Sequence, residues 1–172
     1  YPELNFTFVE IDIYTGPGSS LLYSLLKTEK YLQEPFIYIT CDTIIDENIY
    51  IDKEYKIREN LLFCCKSNDS LNYASVNTRN NTITSINHKN NPIYDFIYIG
   101  KSQIYNYKLF WNIANKLIVN NSFEHGDVDI YIEMIKNTKF NFFKIKNYFD
   151  AGNISVLKSK INKKKYNVLT KY

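Results

Sequence analysis

The sequence predicts an α/β fold in which a mixed, mainly parallel sheet is flanked by helices. Three observations predict it: apolar runs of strand length recur along the chain, two amphipathic helical segments follow them, and the opening residues alternate strand, helix and strand. A strand, a helix and a second strand in that order form a βαβ unit, whose two strands lie parallel.

The first predicted element is a strand at residues 5–14, NFTFVEIDIY, where apolar and polar residues alternate. A Gly-Pro-Gly turn ends it, and SSLLYSLLKTEKYL follows with leucines at helical spacing and Ser19 or Ser20 as N-cap. Pro35 breaks this helix. The run FIYITC at 36–41 is almost continuously apolar and predicts a central strand covered on both faces.

The later elements follow from the same patterns. The turn Arg79-Asn80-Asn81 between two strand-like runs predicts a hairpin, and Phe110 and Trp111 fall on an apolar helix face typical of a core. The remaining predicted elements are strands at 55–66, 72–78, 82–89, 94–104 and 139–149 and helices at 106–121, 127–137 and 154–161.

The composition is that of one globular domain. With 172 residues, 45% hydrophobic and 23% charged, the chain is long enough to bury its own core. Its formal charge of +3 owes much to the lysines of 158–166, so the body gives no reason to expect a nucleic-acid surface. We expect a domain at 1–160 and a basic tail or linker at 161–172, which could lead to a further domain.

The cysteines and the apolar runs bear on the cellular location that the sequence predicts. Cys41, Cys64 and Cys65 lack metal-ligand spacing, and their odd number argues against a disulfide framework. Adjacent Cys64 and Cys65 in a strand should point to opposite faces. No run approaches the roughly 18 apolar residues of a membrane span, and no signal peptide is evident. The sequence therefore predicts a cytoplasmic protein without a membrane partner, and leaves a homo-oligomer open.

Two aspartates are candidate metal ligands. Asp42 follows the strand 36–41, and ligand sites of open α/β sheets lie at the carboxyl ends of strands. Asp150 also ends a predicted strand and is followed by Gly152. Two such carboxylates could converge on one Mg²⁺, which prefers oxygen ligands and substrate phosphates. The alternatives are that Asp42 caps a turn and that Asp150 forms an Asx-type turn.

Other candidates are weaker. Backbone N–H groups after the Gly-Pro-Gly turn could bind an anion or a base edge, although the spacing fits neither the phosphate loop nor the dinucleotide fingerprint. Lys89 follows a hairpin strand and could hold a substrate phosphate, or could simply be solvated. His125 has no second histidine at metal spacing, so no histidine metal site is expected.

Taken together, these segments resemble the sugar-nucleotide type of nucleotidyltransferase, which has a GT-A-like, Rossmann-like fold. The resemblance rests on four stretches in matching order, which cover most of the chain: GPGSSLLYSLL, FIYITCDTII, YDFIYIGKSQI and NYFDAGN. It implies a nucleobase contact at Gly16, Pro17, Gly18 and Ser19, Mg²⁺ ligands at Asp42 and Asp150, and a contact from Lys89 to the phosphate of the acceptor.

Two departures from the family pattern qualify the resemblance. The family's N-terminal strand with G-x-G-x-R and a later lysine, which cradle the triphosphate, is absent, and the chain begins with Tyr1 rather than Met. We therefore expect a nucleotidyltransferase domain that is incomplete at its N-terminus. The family's glutamate before the lysine is His88 here, which disfavours a hexose-1-phosphate and favours a phosphorylated amino alcohol, amino acid or unusual sugar.

The expected function is Mg²⁺-dependent transfer from an NTP, with CTP or UTP favoured, to a small phosphorylated molecule. Pyrophosphate would be released, and the product would serve surface-glycan (capsule) biosynthesis. The alternatives are a non-catalytic nucleotide-binding or regulatory domain of this fold, a glycosyltransferase of related fold, and an interaction domain. A glycosyltransferase normally carries a D-x-D pair, whereas Thr43 and Ile44 follow Asp42 here.

Overall fold

The computed structural model describes residues 5–16, 18–45, 57–67, 71–119, 126–154 and 157–158. Three α-helices, one short 3₁₀ helix and eight strands are assigned within these ranges. In chain order they are α1 (Leu21–Leu26), the 3₁₀ helix (Glu29–Tyr31), β1 (Phe36–Ile39), β2 (Thr43–Ile45), β3 (Asn60–Cys65), β4 (Ser75–Arg79), β5 (Thr82–Asn87), β6 (Phe96–Ile104), α2 (Tyr107–Val119), α3 (Asp127–Met134), β7 (Phe140–Ile145) and β8 (Tyr148–Asp150).

Six of the strands form one mixed sheet in the order β1-β6-β3-β7-β5-β4, and β4 also pairs with one end of β6. The strands β3 and β7 are parallel, whereas the other pairings within the described residues are antiparallel. The remaining strands, β2 and β8, form a separate antiparallel ribbon. The mixed sheet with its helices agrees with the predicted fold class, but the described strands are mainly antiparallel rather than mainly parallel.

The mainly parallel sheet was predicted from a βαβ unit in the opening residues, which the described residues do not form. Residues 5–14 form no strand, and Phe6 and Phe8 are exposed. Among the described strands, β1 lies at the edge of the sheet and antiparallel to β6, so the prediction of a central strand is wrong. One face of β1 packs on the helices through Phe36, whereas Ile39 on the other face is 49% exposed, so the apolar run does not correspond to a strand covered on both faces.

The predicted helices and strands between residues 19 and 137 are otherwise confirmed with changed boundaries. Ser20 is the N-cap of α1, and its Oγ accepts a hydrogen bond from the backbone N–H of Tyr23 at 3.0 Å. The helix is shorter than predicted, because its last turn gives way to the 3₁₀ helix well before Pro35. The β4–β5 hairpin turns at Asn80 and Asn81, whose φ angles of 48° and 62° are those that a type I′ turn requires.

The long C-terminal strand predicted at 139–149 is divided into two. The chain bends at Lys146 and Asn147, so β7 stays in the main sheet while β8 leaves it to pair with β2. Most of the predicted helix at 154–161, the tail at 161–172, Pro17 and His125 lie outside the described residues. No helix among the described residues is long and apolar enough to cross a membrane.

The sheet has an apolar cluster on each face. The helices α1, α2 and α3 pack on one face, against side chains such as Leu62 of β3, and Phe110 and Trp111 are core residues as predicted. The opposite face carries a smaller cluster that includes Leu61 and Phe63. Cys64 belongs to the first cluster and Cys65 to the second, so the prediction that they point to opposite faces is confirmed.

Candidate active site

A tight turn between β1 and β2 holds Asp42. The backbone N–H of Thr43 donates to the carbonyl of Thr40 at 3.3 Å, and Thr40 N–H in turn donates to the carbonyl of Gly100 at 2.9 Å. The hydroxyl of Thr43 donates to the carbonyl of Ile99 at 2.7 Å and lies 2.7 Å from the hydroxyl of Thr40. The turn is therefore anchored on β6 by backbone and side-chain hydrogen bonds.

Gly100 makes this close seating of the turn possible. Its φ is +77°, and a Cβ on it would stand 2.5 Å from Thr40 Oγ1 and 3.0 Å from Thr43 Oγ1. A glycine inside a strand often marks such a close approach of another backbone segment. Position 100 therefore favours glycine both for its backbone conformation and for lack of space.

The ribbon of β2 and β8 brings the second aspartate to the first. Thr43 is directly opposite Asp150 in the ribbon. The backbone N–H of Ala151 donates to the carbonyl of Asp42 at 2.8 Å, which joins the two turns beyond the ribbon's end. Asp42 and Asp150, which are remote in the sequence, therefore become neighbours.

The carboxylate of Asp150 is held by three donors. Its Oδ1 accepts from the backbone N–H groups of Gly152 at 2.8 Å and Asn153 at 3.2 Å, and its Oδ2 accepts from the hydroxyl of Tyr73 at 2.9 Å. The Asx-type turn that the sequence left as an alternative is thus present. It orients the carboxylate and does not exclude a metal, because Oδ2 accepts one hydrogen bond, from Tyr73, and keeps a further lone pair.

Gly152 lies beside both carboxylates. A Cβ placed on it would be 2.6 Å from Asp42 Oδ2 and 3.1 Å from Asp150 Oδ1. No group of three or more His, Cys, Asp or Glu side chains with the geometry of a metal site occurs among the described residues. Two converging carboxylate oxygens nevertheless fit Mg²⁺, which is commonly bound through one or two carboxylates together with water and substrate phosphates.

Lys89 faces the same space as the two aspartates. Asp42, Asp150 and Lys89 all line a cavity of about 280 Å³ and an adjoining, shallower hollow of about 490 Å³. Lys89 comes two residues after β5, and the left-handed conformation of Asn90, with φ at 69°, turns the chain there. The structure thus places in one cavity three residues that the sequence predicted as site residues, although their roles stay predictions.

Gly16, Gly18 and Ser19, the described residues of the Gly-Pro-Gly segment, do not line this cavity. Gly16 and Gly18 have φ angles of 76° and 91°, and the N–H of Ser19 donates to the carbonyl of Gly16 at 3.1 Å, so the segment is a tight turn. Leu21, the first residue of α1, does line the cavity. The nucleobase contact expected of Gly16, Pro17, Gly18 and Ser19 stays a prediction.

The fold can be compared with known proteins. No protein-family model matches the sequence, and no curated protein sequence matches it. Among solved structures, CTP:phosphocholine cytidylyltransferase from Streptococcus pneumoniae matches with a TM-score of 0.67 and 12% identity, over 81% of this chain and 61% of that one. The inositol-1-phosphate CTP transferase from T. maritima matches with a TM-score of 0.59 and 16% identity, over 81% and 58%. This chain has the nucleotidyltransferase fold.

The predicted resemblance is thereby confirmed at the level of the fold. A UDP-glucose pyrophosphorylase in complex with UDP-glucose also matches, with a TM-score of 0.63 and 15% identity over 85% of this chain and 62% of that one. The chain spans less than two thirds of the length of each of these proteins.

Sequence reasoning missed the aromatic and acidic wall of this site in the nucleotidyltransferase fold. Tyr73, Tyr98, Tyr148 and Asp127 line the same cavity as Asp42. The hydroxyl of Tyr98 donates to Asp127 Oδ2 at 2.8 Å. No local motif marks these residues, because their association depends on four segments that meet only in the folded chain.

Burial controls the ionisation of this wall. It raises the pKa of Asp127, while the hydrogen bond from Tyr98 and backbone N–H groups oppose that rise. The pKa of Tyr148 is raised by burial and by its neighbour Tyr73. The pKa of Tyr38 is likewise raised by burial first, then by the charges of Asp127 and Asp42, which places Tyr38 near both carboxylates. The cavity therefore has an acidic, largely desolvated side.

Proposed function

We propose that the protein is a Mg²⁺-dependent nucleotidyltransferase that joins an NTP, with CTP or UTP favoured, to a small phosphorylated acceptor and releases pyrophosphate. The observation that carries the proposal is that Asp42, Asp150 and Lys89 line one cavity. Support comes from solved structures of the same fold, which include two CTP-dependent transferases and a UDP-glucose pyrophosphorylase. Cytoplasmic location and a role in surface-glycan biosynthesis are part of the proposal.

Each site residue has a distinct task in this proposal. Asp42 and Asp150 would hold Mg²⁺, and the Asx turn and Tyr73 would keep the Asp150 carboxylate oriented. When bound, Mg²⁺ would supply charge neutralisation for the phosphates. Lys89 would donate to the acceptor's phosphate and align it for attack.

The bond changes need little covalent help from the protein. An oxygen of the acceptor's phosphate attacks the α-phosphorus of the NTP, the bond from the α-phosphorus to its bridging oxygen breaks, and pyrophosphate leaves. The attacking oxygen is already anionic, so no side chain has to remove a proton from it. Positioning and charge stabilisation, which lysine and carboxylates can provide, account for most of the work.

The nucleobase would lie at the turn before α1. Gly16, Pro17, Gly18 and Ser19 would present backbone groups to the edge of the base, as the resemblance implies. The positive φ angles of Gly16 and Gly18 support this assignment, because such a turn can expose backbone N–H groups without side chains in the way.

The test is thermal stabilisation of the full-length native protein by ATP, CTP, GTP and UTP, each with and without Mg²⁺. A ligand at one hundred times its Kd should stabilise the protein by about 2.7 kcal/mol. We expect a Mg²⁺-dependent shift with CTP or UTP that is lost in Asp42→Asn and in Asp150→Asn. The matched control is Glu133→Gln, which removes a carboxylate of an exposed i,i+3 pair with Lys136, outside the cavity.

Release of pyrophosphate, measured with the responding nucleotide and a panel of phosphorylated small molecules, completes the test. A shift without pyrophosphate release for any acceptor would favour the non-catalytic nucleotide-binding alternative. If no nucleotide shifts the melting temperature of the correctly folded protein, the enzyme proposal is wrong.

A further inference from the structure

The cavity contains a carboxylate that the proposed transfer does not use. Asp127 begins α3, is 6% exposed and lines the cavity together with Asp42 and Lys89. Its carboxylate accepts hydrogen bonds from the hydroxyl of Tyr98 and from backbone N–H groups at the start of α3, but no lysine, arginine or histidine of the described segments forms an ion pair with it. A carboxylate buried without a cation costs considerable free energy.

The hydrogen bonds that Asp127 accepts at the N-terminus of α3 do not require this burial. Asp129, in the same first turn, already accepts a hydrogen bond from the backbone N–H of Gly126 at 2.8 Å and remains partly exposed. A first-turn acid can stabilise the helix from such an exposed position. The burial of Asp127 therefore calls for a second reason.

The surroundings of Asp127 are aromatic. Tyr73, Tyr98 and Tyr148 line the same cavity, and the rings of Tyr73 and Tyr148 meet edge to face with centroids 6.3 Å apart. Aromatic rings attract cations to their faces. At about 280 Å³ the cavity is also small, at the lower limit of the clefts of roughly 300–1,000 Å³ that hold drug-sized ligands.

We propose that Asp127 is a specificity-determining residue that binds an ammonium group on the acceptor, so that the acceptor is a short phosphate ester of an amino alcohol or a similar amine. The inference rests on the proposed function only in assigning the acceptor's phosphate to Lys89. The two ends of such a molecule carry opposite charges, and Lys89 and Asp127 provide the matching pair in one cavity. A polyol phosphate has no cationic group, so it would leave the buried carboxylate without a cation.

The experiment uses pairs of phosphate esters that differ in charge but hardly in shape. 2-Aminoethyl phosphate is compared with propyl phosphate, and choline phosphate with 3,3-dimethylbutyl phosphate, by calorimetric titration into the full-length protein. We expect at least one ammonium ester to bind about tenfold or more tightly than its neutral counterpart. Equal affinities within both pairs would overturn the inference.

Two variants assign the preference to Asp127. Asp127→Asn keeps an acceptor for Tyr98 but removes the charge, and it should bring the affinity ratio close to one without weakening the neutral esters. Asp129→Asn removes the same charge two residues along α3, outside the cavity lining, and should keep the ratio of the native protein. A preference that survives in folded Asp127→Asn would also contradict the inference.

These outcomes separate the inference from the proposed function, because ester binding needs no nucleotide. A strong ammonium preference without nucleotidyl transfer would retain the Asp127 site and reject the transferase. Efficient nucleotidyl transfer to phosphate esters without an ammonium preference would support the transferase and reject the Asp127 site. The ratio in the native protein requires no variant, so it decides the question even if Asp127→Asn does not fold.

Discussion

The missing side chain at Gly152 is as important to the candidate site as the carboxylates beside it. Carboxylate oxygens of Asp42 and Asp150 both approach this position, at distances that leave no room for a methyl group. Asp42 and Asp150 were predictable from sequence, because each follows a strand-like run. That Gly152 lies beside both depends on the pairing of β2 with β8 and was not predictable.

Gly152→Ala should weaken Mg²⁺ binding by about 10-fold or more, as changes next to metal ligands commonly do, while the protein stays folded. The added methyl group would displace the two carboxylates, and the backbone of Gly152 does not have the positive φ that would strain alanine. The Mg²⁺ concentration at half-maximal nucleotide stabilisation measures the effect.

Gly126→Ala is the matched control for this prediction. A Cβ there would meet Leu21 Cδ2 at 3.6 Å, an ordinary contact. Its half-maximal Mg²⁺ concentration should stay near that of the native protein. An unchanged Mg²⁺ requirement in folded Gly152→Ala would mean that the two carboxylates do not share an ion.

At the scale of elements, the position of Asp42 depends on how the β1–β2 turn sits on β6. Two hydrogen bonds, from Thr40 N–H to the carbonyl of Gly100 and from the hydroxyl of Thr43 to the carbonyl of Ile99, hold the turn against the strand, and the absence of a side chain at Gly100 leaves room for it. The sequence marked Gly100 only as a glycine in an apolar strand. Its partners, Thr40 and Thr43, lie some 60 residues earlier in the chain, so their contact with it is a tertiary property.

Gly100→Ala should destabilise the protein by about 1–3 kcal/mol, the usual cost of a strained backbone conformation, with a further cost from the clash with Thr40. Nucleotide stabilisation should fall as well, because the turn must move. Urea unfolding measures the first effect and thermal shift the second.

A double variant separates the clash from the backbone strain. Gly100→Ala with Thr40→Ala removes the atoms at 2.5 and 3.1 Å from the new Cβ but keeps the φ of +77°. Adding Gly100→Ala to the Thr40→Ala variant should therefore lower the free energy of unfolding by less than Gly100→Ala lowers it in the native protein. Equal losses of unfolding free energy in both backgrounds would show that the clash with Thr40 contributes nothing.

Another element-scale contact ties the irregular segment 5–14 to α1. Asp12 Oδ1 accepts from the hydroxyl of Tyr23 at 2.7 Å and lies 2.9 Å from Lys27 Nζ. The hydrogen bond from Lys27, followed by that from Tyr23, lowers the pKa of Asp12 to about 2. The segment has the alternation of a strand but no strand partner, so this surface contact is part of what positions it.

The lowered pKa predicts the sign of a pH effect. Because the folded pKa lies below the unfolded value of about 3.9, the stabilisation is fully present above that value and is lost as pH falls through about 2. The difference in unfolding free energy between the native protein and Asp12→Asn should therefore shrink on acidification below about pH 4. Urea unfolding across that range measures it.

An NMR titration of the Asp12 carboxyl carbon gives a direct control. Its midpoint should lie near 2 in the native protein and rise in Lys27→Met, which removes the hydrogen-bond donor. Lys30→Met, where the lysine contacts Tyr31 instead, should leave the midpoint unchanged. A native midpoint near the unfolded value would contradict the contact.

For the whole molecule, strand β3 connects the two apolar faces of the sheet. Leu62 is fully buried in the cluster beneath the helices, and its neighbour Leu61, 8% exposed, belongs to the smaller cluster on the other face. Because successive side chains of a strand point to opposite faces of the sheet, the two adjacent leucines belong to different clusters. We therefore expect both clusters to unfold together, as one cooperative unit.

Leu61→Ala and Leu62→Ala should each lower the free energy of unfolding by about 2–5 kcal/mol, the usual range for a buried leucine, and Leu62→Ala should cost more. Both variants should unfold in a single transition. Urea unfolding followed by far-UV circular dichroism and by tyrosine fluorescence tests this, and transitions that differ between the two probes would contradict a shared unit.

The sequence by itself determined the local structure of this protein and part of its site. It indicated an N-cap at Ser19 or Ser20, the hairpin at Asn80 and Asn81, the alternation of Cys64 and Cys65, and the mixed α/β class, because these depend on backbone conformation and periodicity within a few residues. It also predicted Asp42 and Asp150 as candidate metal ligands, and the structure places both next to Gly152.

The tertiary structure alone decided which strands pair and which side chains share a cavity. Strand-like alternation at 5–14 did not produce a strand, because a strand needs a partner backbone, and β1 found its partner in β6 as an antiparallel edge. The association of Asp127 with three tyrosines likewise depends on segments far apart in the chain. Pairing and burial are long-range properties, so no local pattern specifies them.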